Sequence, residues 1–147
     1  MTDILTLESI HVQGNATSKE DAIRKAGELL VKVGCVKPEY IESMLDREKT
    51  MSTYVGNGVS IPHGEFEGLS LVNRTGISVL QVPEGVEWED GELAYLVVGI
   101  AATGDEHLQV LQNLATVIED LETAELLAKT DDPALIHEKL NQPISED

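Results

Sequence analysis

The run Leu93-Ala94-Tyr95-Leu96-Val97-Val98-Gly99-Ile100-Ala101-Ala102 constrains the fold more than any other stretch of this chain. It is nearly all apolar, so a strand built from it must be covered on both faces, as the central strands of layered α/β proteins are. The flanking patterns supply the cover. Residues 106–121 place Leu108, Val110, Leu111, Leu114, Ala115, Val117, Ile118 and Leu121 at helical spacing. Upstream, Thr17-Ser18-Lys19-Glu20-Asp21 has the spacing of a capping box, Ala22, Ile23, Ala26, Leu29, Leu30 and Val33 follow at helical spacing, and Gly34 stops the helix. Pro38 opens a second helix with Tyr40, Ile41, Met44 and Leu45 on its apolar face. Two short helices are expected over 124–129 and from Asp132-Pro133 to Leu140. Further strands are expected within 4–12, at 59–61 and over the alternating stretch 76–82. Residues 83–91 carry two turn signals and a short strand around Trp88, with the acids of 84–92 as a solvated face. Strands alternating with helices predict an α/β fold: a single-domain sandwich with a mixed parallel/antiparallel sheet flanked by helices, over residues 1–147.

Composition narrows the function. A chain of 147 residues, 41% hydrophobic, suffices for one core and holds no run long enough to span a bilayer. No basic segment followed by an apolar stretch opens the chain, so a cytoplasmic protein without membrane insertion is expected. Cys35 is the only cysteine, which excludes an internal disulfide and suits a reducing compartment; it reads as a small apolar filler. Ten basic residues against 27 acidic ones leave a formal charge of −17, which argues against nucleic acid and anionic membrane surfaces and either attracts a basic protein partner or serves only solubility. No pair of histidines or acids has a zinc-ligand spacing, and no cofactor is expected.

The segment with chemical promise is Gly56-Asn57-Gly58-Val59-Ser60-Ile61-Pro62-His63-Gly64. An imidazole fenced by a proline and a glycine at the end of a β-branched run is held in one orientation, with backbone able to come close. Neutral at pH 7 for the most part, it can attack phosphorus and carry the group as a labile phosphoramidate. Phosphoryl transfer needs alignment and donors for three equatorial oxygens. Gly64 offers an N–H close by, His107 lies in the first turn of the long helix, and Arg47 at the end of the second helix offers a planar cationic fork. Asp46 and Glu48 also give Arg47 the option of an ordinary surface ion pair. Gly56 and Gly58 read as turn formers, and His11 and His137 have nothing chemical beside them. Sequence alone does not bring His63, His107 and Arg47 together.

These residues also carry a resemblance. Met44-Leu45-Asp46-Arg47-Glu48-Lys49, Thr53-Tyr54-Val55-Gly56, Ser60-Ile61-Pro62-His63-Gly64, Pro83-Glu84-Gly85-Val86, Gly99-Ile100-Ala101-Ala102 and Glu106-His107-Leu108-Gln109-Val110 together resemble the mannitol/fructose-type enzyme IIA family of the bacterial sugar phosphotransferase system, nearest its mannitol branch. The resemblance implies a mixed α/β sandwich. It implies that a phosphoryl group arrives from the phosphorylated histidine phosphocarrier protein and leaves for a cysteine on the IIB domain of a mannitol-type permease. His63 matches the phosphorylated residue, His107 the second active-site histidine and Arg47 an active-site arginine. Several relatives carry an acidic residue where this chain has Asn57, so a carboxylate's role there does not carry over. With no IIB or IIC segment in the chain, a free-standing, monomeric IIA protein is expected. The alternative implied by some relatives is a phosphorylation-dependent regulatory module that moves no sugar.

Overall fold

The computed structural model of the protein describes residues 4–64, 70–89, 91–102 and 107–141, the side chains of Glu89, His107 and Leu108 excepted. The apolar run becomes β5 (Glu92–Ala101), the middle strand of a five-stranded sheet in the order β1-β4-β5-β3-β2. β1 (Ile10–His11) lies parallel to β4 (Gly76–Glu89), β4 antiparallel to β5, β3 (Val59–Ser60) parallel to β5, and β2 (Tyr54–Gly56) antiparallel to β3. The sheet is mixed, as the sequence predicts.

Period-two alternation splits β4 and β5 between two cores. Ile77, Val79, Val98 and Ile100 face one side, where α3 (His107–Ile118), α4 (Leu121–Lys129) and α5 (Pro133–Leu140) bring Val110, Leu114, Leu127 and Ile136. Leu80, Val82, Val97 and Ala101 face the other, where α1 (Lys19–Lys32) brings Ala22, Ile23, Ala26 and Leu30, and α2 (Tyr40–Thr50) brings Met44. Each fully buried Leu or Ile contributes roughly 1.5–3 kcal/mol by leaving water. Helices on both faces of one sheet make the expected sandwich.

Local chemistry sets the ends. The capping-box spacing fits both Thr17 with Glu20 and Ser18 with Asp21, and the fold uses Ser18: its Oγ accepts from the Asp21 N–H at 3.1 Å, while Asp21 Oδ2 accepts from the Thr17 N–H at 3.0 Å. α2 begins at Tyr40, with Pro38 in the turn before it. β2, absent from the sequence reading, pairs with β3 through the two-residue turn Asn57-Gly58, whose φ values of 54° and 78° are those that Asn-Gly hairpins adopt. Asn57 Nδ2 also donates to the Ile118 carbonyl at 2.9 Å, at the C-terminal end of α3.

The larger departure is β4. The sequence ends it at 82 and continues with turns and a separate short strand around Trp88; the chain instead runs as one strand to Glu89, with the Trp88 segment as its last part. Pro83 and Gly85 (φ 81°) fall inside a register shift between Gln81 and Val86, so the missing proline N–H is absorbed by an irregularity and pairing resumes. The acids Glu84, Glu87 and Glu92 are exposed as expected, but Trp88 between them is 3% exposed and donates its Nε1–H to Glu48 at 3.1 Å. Among the described residues, no helix is long and apolar enough to cross a membrane.

Candidate active site around His63

His63 lies beyond β3, where the chain still follows β5. The Ile100 N–H donates to the Pro62 carbonyl at 2.9 Å, and His63 forms a parallel bridge with Ile100. Alternation continues through this segment. Val59 and Ile61 pack in the core under α3, and His63, in register with Ile100, projects to that same face. α3 begins at His107 a few residues after β5 ends, which brings the start of that helix to the face His63 occupies. The His107 side chain lies outside the described residues.

The imidazole is half-buried, and its Nδ1 stands 2.9 Å from the Ile61 carbonyl. A carbonyl oxygen only accepts, so the neutral ring keeps its proton on Nδ1 and carries its lone pair on Nε2. The backbone two residues upstream thereby selects the tautomer.

Gly64 faces the opposite way, onto α2. Its N–H donates to Tyr40 Oη at 2.9 Å, and Tyr40 Oη donates in turn to the Ile100 carbonyl at 2.9 Å. A Cβ at position 64 would come within 2.5 Å of the Tyr40 ring and 3.0 Å of Ser43 Oγ, so only glycine lets strand and helix approach this closely. The expectation that this N–H serves a phosphoryl group therefore meets another partner: here it positions the backbone after the histidine. Burial pushes the Tyr40 phenol above its ordinary pKa, against the Gly64 hydrogen bond that lowers it, so the hydroxyl keeps the proton it gives to Ile100.

Tyr40 is the residue sequence reading missed. It was counted as apolar surface of α2, yet a tyrosine among Ile, Met and Leu on a buried helix face needs a partner for its hydroxyl, and that is the signal that finds it. Arg47 stands one turn beyond Ser43 on α2, half-buried, with Nη1 donating to the Met51 carbonyl at 2.8 Å. The structure thus pins the guanidinium to the end of its helix, and this is its one hydrogen bond among the described residues.

Glu48 differs from the surface acid expected beside Arg47. Its carboxylate is buried, accepting from the Thr53 N–H (3.2 and 3.1 Å), from Thr53 Oγ1 at 2.6 Å and from Trp88 Nε1 at 3.1 Å, with Lys19 Nζ 3.8 Å away. It fixes the chain that leaves α2 for β2, and Asp46 pairs with Lys49 instead, at 3.5 Å. Among the described residues, no cluster of three or more His, Cys, Asp or Glu side chains is placed to hold a metal ion.

Comparison with known proteins bears on this arrangement. Residues 3–142 match the family model described as "Phosphoenolpyruvate-dependent sugar phosphotransferase system, EIIA 2". The chain is 46% identical over 127 residues to the mannitol-specific phosphotransferase enzyme IIA component of Enterococcus faecalis, covering 84% of this chain and 88% of that protein. It is 48% identical over 132 residues to a multiphosphoryl transfer protein of Xanthomonas campestris pv. campestris, covering 90% of this chain. It spans only 16% to 33% of the length of the multiphosphoryl transfer proteins it matches. Its fold superposes on a solved complex of enzyme IIA-mannitol with phosphorylated enzyme IIB-mannitol from Escherichia coli with a TM-score of 0.87 at 43% identity, over 92% of this chain and 97% of the matched one.

Proposed function

The chain belongs to the EIIA 2 family of the phosphoenolpyruvate-dependent sugar phosphotransferase system, and on that premise we propose that it is a phosphoryl carrier whose His63 is charged by the phosphorylated histidine phosphocarrier protein and discharged to a cysteine on the IIB domain of a mannitol-type permease. One IIA unit over residues 1–147 performs both steps as a cytoplasmic monomer.

The observation that carries this reading is the Nδ1 contact with the Ile61 carbonyl at 2.9 Å. Nε2 attacks phosphorus; the N–P bond forms as the bond from phosphorus to the donor's histidine breaks. The His63 ring then bears phosphorus on Nε2 and a proton on Nδ1, so it is cationic and a good leaving group. The Ile61 carbonyl holds that proton throughout, and no base is needed in the first step. In the second step a cysteine thiolate attacks, the N–P bond breaks, and the lone pair returns to Nε2. Tyr40 keeps the Gly64 turn in place, so the ring meets both partners in one orientation. His107 at the start of α3 and the unused N–H groups of Arg47 serve the phosphoryl oxygens.

The test is reconstitution. With phosphoenolpyruvate, the general enzyme and the phosphocarrier, the protein gains one acid-labile phosphate, and nitrogen-resolved NMR of His63 finds it on Nε2. Adding a mannitol-type IIB domain moves the label to cysteine. Phosphate on Nδ1 would refute the tautomer argument. Stable labelling with no transfer to IIB would replace the carrier reading with the regulatory one.

A further inference from the structure

On the far edge of the sheet, a pocket of about 390 Å³ opens between α1 and the loop that follows β1. Its floor is Leu29 and Leu80, and its walls include His11, Gly14, Lys25 and Lys32. Two inner strands, β4 and β5, separate this edge from the strand leading to His63, about 14 Å across the sheet at ordinary strand spacing. The volume lies within the range of small-molecule sites.

The wall is built by buried parts of the fold. Gln13 has φ 54°, a left-handed conformation rare for a residue with a side chain. Gln81, fully buried in β4, holds it there: its Oε1 accepts from the Gln13 N–H at 2.8 Å and its carbonyl from the Gly14 N–H at 2.9 Å. The other end of the Gln81 amide donates to the Leu127 carbonyl at 2.8 Å, so the loop is tied across the sheet to α4. A Cβ on Gly14 would meet the His11 ring at 2.7 Å, Leu80 at 2.9 Å and the Gln81 carbonyl at 3.1 Å. Lys25 Nζ donates to the Asn15 carbonyl at 2.7 Å and to Asn15 Oδ1 at 3.1 Å, and pairs with Asp21 at 3.3 Å, which locks the rim to the helix. Strain maintained by so many contacts marks a shape that is kept for use.

The electrostatics are unlike the rest of the molecule. In a chain of formal charge −17, α1 carries Lys19, Arg24, Lys25 and Lys32, four of its ten basic residues. The lining holds two lysines against one carboxylate, Glu28. Among the described residues, neither Lys32 nor His11 makes a hydrogen bond or ion pair, so an ammonium and an imidazole face the opening unspent. Beside them stand the amides of Gln13 and Asn15 and the carboxylate of Glu28, which give and take hydrogen bonds with hydroxyl groups.

We propose that this pocket binds a small phosphorylated polyhydroxy compound, its phosphate on Lys32 and His11, its hydroxyls on Gln13, Asn15 and Glu28, and its carbon skeleton over Leu29 and Leu80. The occupant does not touch His63.

The test is a titration of the ¹⁵N-labelled full chain with a hexitol phosphate, and separately with the free hexitol and with inorganic phosphate. The hexitol phosphate shifts the Gly14, Asn15 and Leu29 amides saturably, more tightly than either fragment. Lys32→Gln weakens it about tenfold, as loss of a charge-assisted hydrogen bond does, and His11→Gln weakens it further, while phosphorylation of His63 proceeds at the normal rate in both variants. Both positions are exposed, so the fold survives the changes. No saturable shift of these amides up to about 10 mM would overturn the proposal. So would inorganic phosphate binding as tightly as the hexitol phosphate, or affinity unchanged by both substitutions.

Discussion

His63 and His11 sit on opposite sides of the β4-β5 pair in one sheet, each beyond or at the end of a two-residue strand and each close to a glycine that tolerates no side chain. Their environments differ in one respect that decides their chemistry. His63 is half-buried with Nδ1 on a backbone carbonyl, so its tautomer is chosen and its unprotonated nitrogen is Nε2. His11 is exposed, and no group among the described residues holds either of its nitrogens. Under the proposed transfer, His63 acts as a nucleophile because of what holds the nitrogen that does not react, and the loosely held His11 is the one proposed to recognise charge.

The contrast is broken most severely at His63 itself. His63→Ala abolishes acid-labile labelling by the phosphorylated phosphocarrier, whereas His11→Ala is labelled at the wild-type rate; mass spectrometry of the intact chain reads both. A labelled His63→Ala protein would place the reaction elsewhere. Next comes His107→Ala, which accepts phosphate yet passes it to IIB about a hundredfold more slowly, the effect of losing one donor to a transferring group; rapid-quench kinetics of the second step measure it, and normal onward transfer removes His107 from the mechanism.

Tyr40→Phe sharpens the comparison without touching either histidine. It strands the Gly64 N–H and the Ile100 carbonyl and lowers stability by about 2 kcal/mol, visible as a lower urea midpoint. Because burial raises the phenol's pKa, the native state holds this proton to higher pH than the unfolded chain does. The tyrosine's contribution is therefore complete below its ordinary value of 10.0 and lost as pH rises through the raised native value. The phenylalanine variant lacks that alkaline decline. If wild type and variant unfold at the same urea concentration, the hydroxyl bridge is incidental.

The smallest effect is expected at the start of α1. The Thr17 N–H, aided by Lys25, holds the Asp21 carboxyl below its ordinary value of 3.8, so its contribution is present above that pH and disappears as acid takes the group through its lowered native value. Asp21→Asn lowers Tm by about 1 °C at pH 7 and by nothing once the native carboxyl is protonated; calorimetry at the two pH values distinguishes these. A loss that persists in acid would mean that packing, and not charge, does the work.

What could be read from the chain, and what could not, follows from the range of the interactions. The covered strand at 93–102, the capping stretch at 17–21 and the long helix after β5 depend on neighbours in sequence, and all three were legible, the choice between Thr17 and Ser18 excepted. The length of β4 was not legible because Pro83 and Gly85 are turn residues locally, and only the pairing of Val86 and Glu87 with Ala94 and Leu93 on β5 overrides them. The role of Tyr40 depends on Gly64 and Ile100, each distant in sequence, and no periodicity records a hydroxyl shared between them. The burial of Glu48 was illegible for the same reason: its donors are Thr53 and Trp88, and although a strand around Trp88 is expected, its continuity with β4 is not.

One tether has a reach beyond its own turn. The amide of Asn57 grips the last carbonyl of α3, a rod about 18 Å long whose opposite tip is His107. Six residues after Asn57 the chain delivers His63 to the same face. The backbone that carries His63 and the helix that begins at residue 107 are thereby joined in a closed mechanical loop through the hairpin, tied at the far end of the helix. Replacing that amide with a carboxylate would open the loop, since an ionised acid has no hydrogen to give, and would leave hairpin and helix to drift independently.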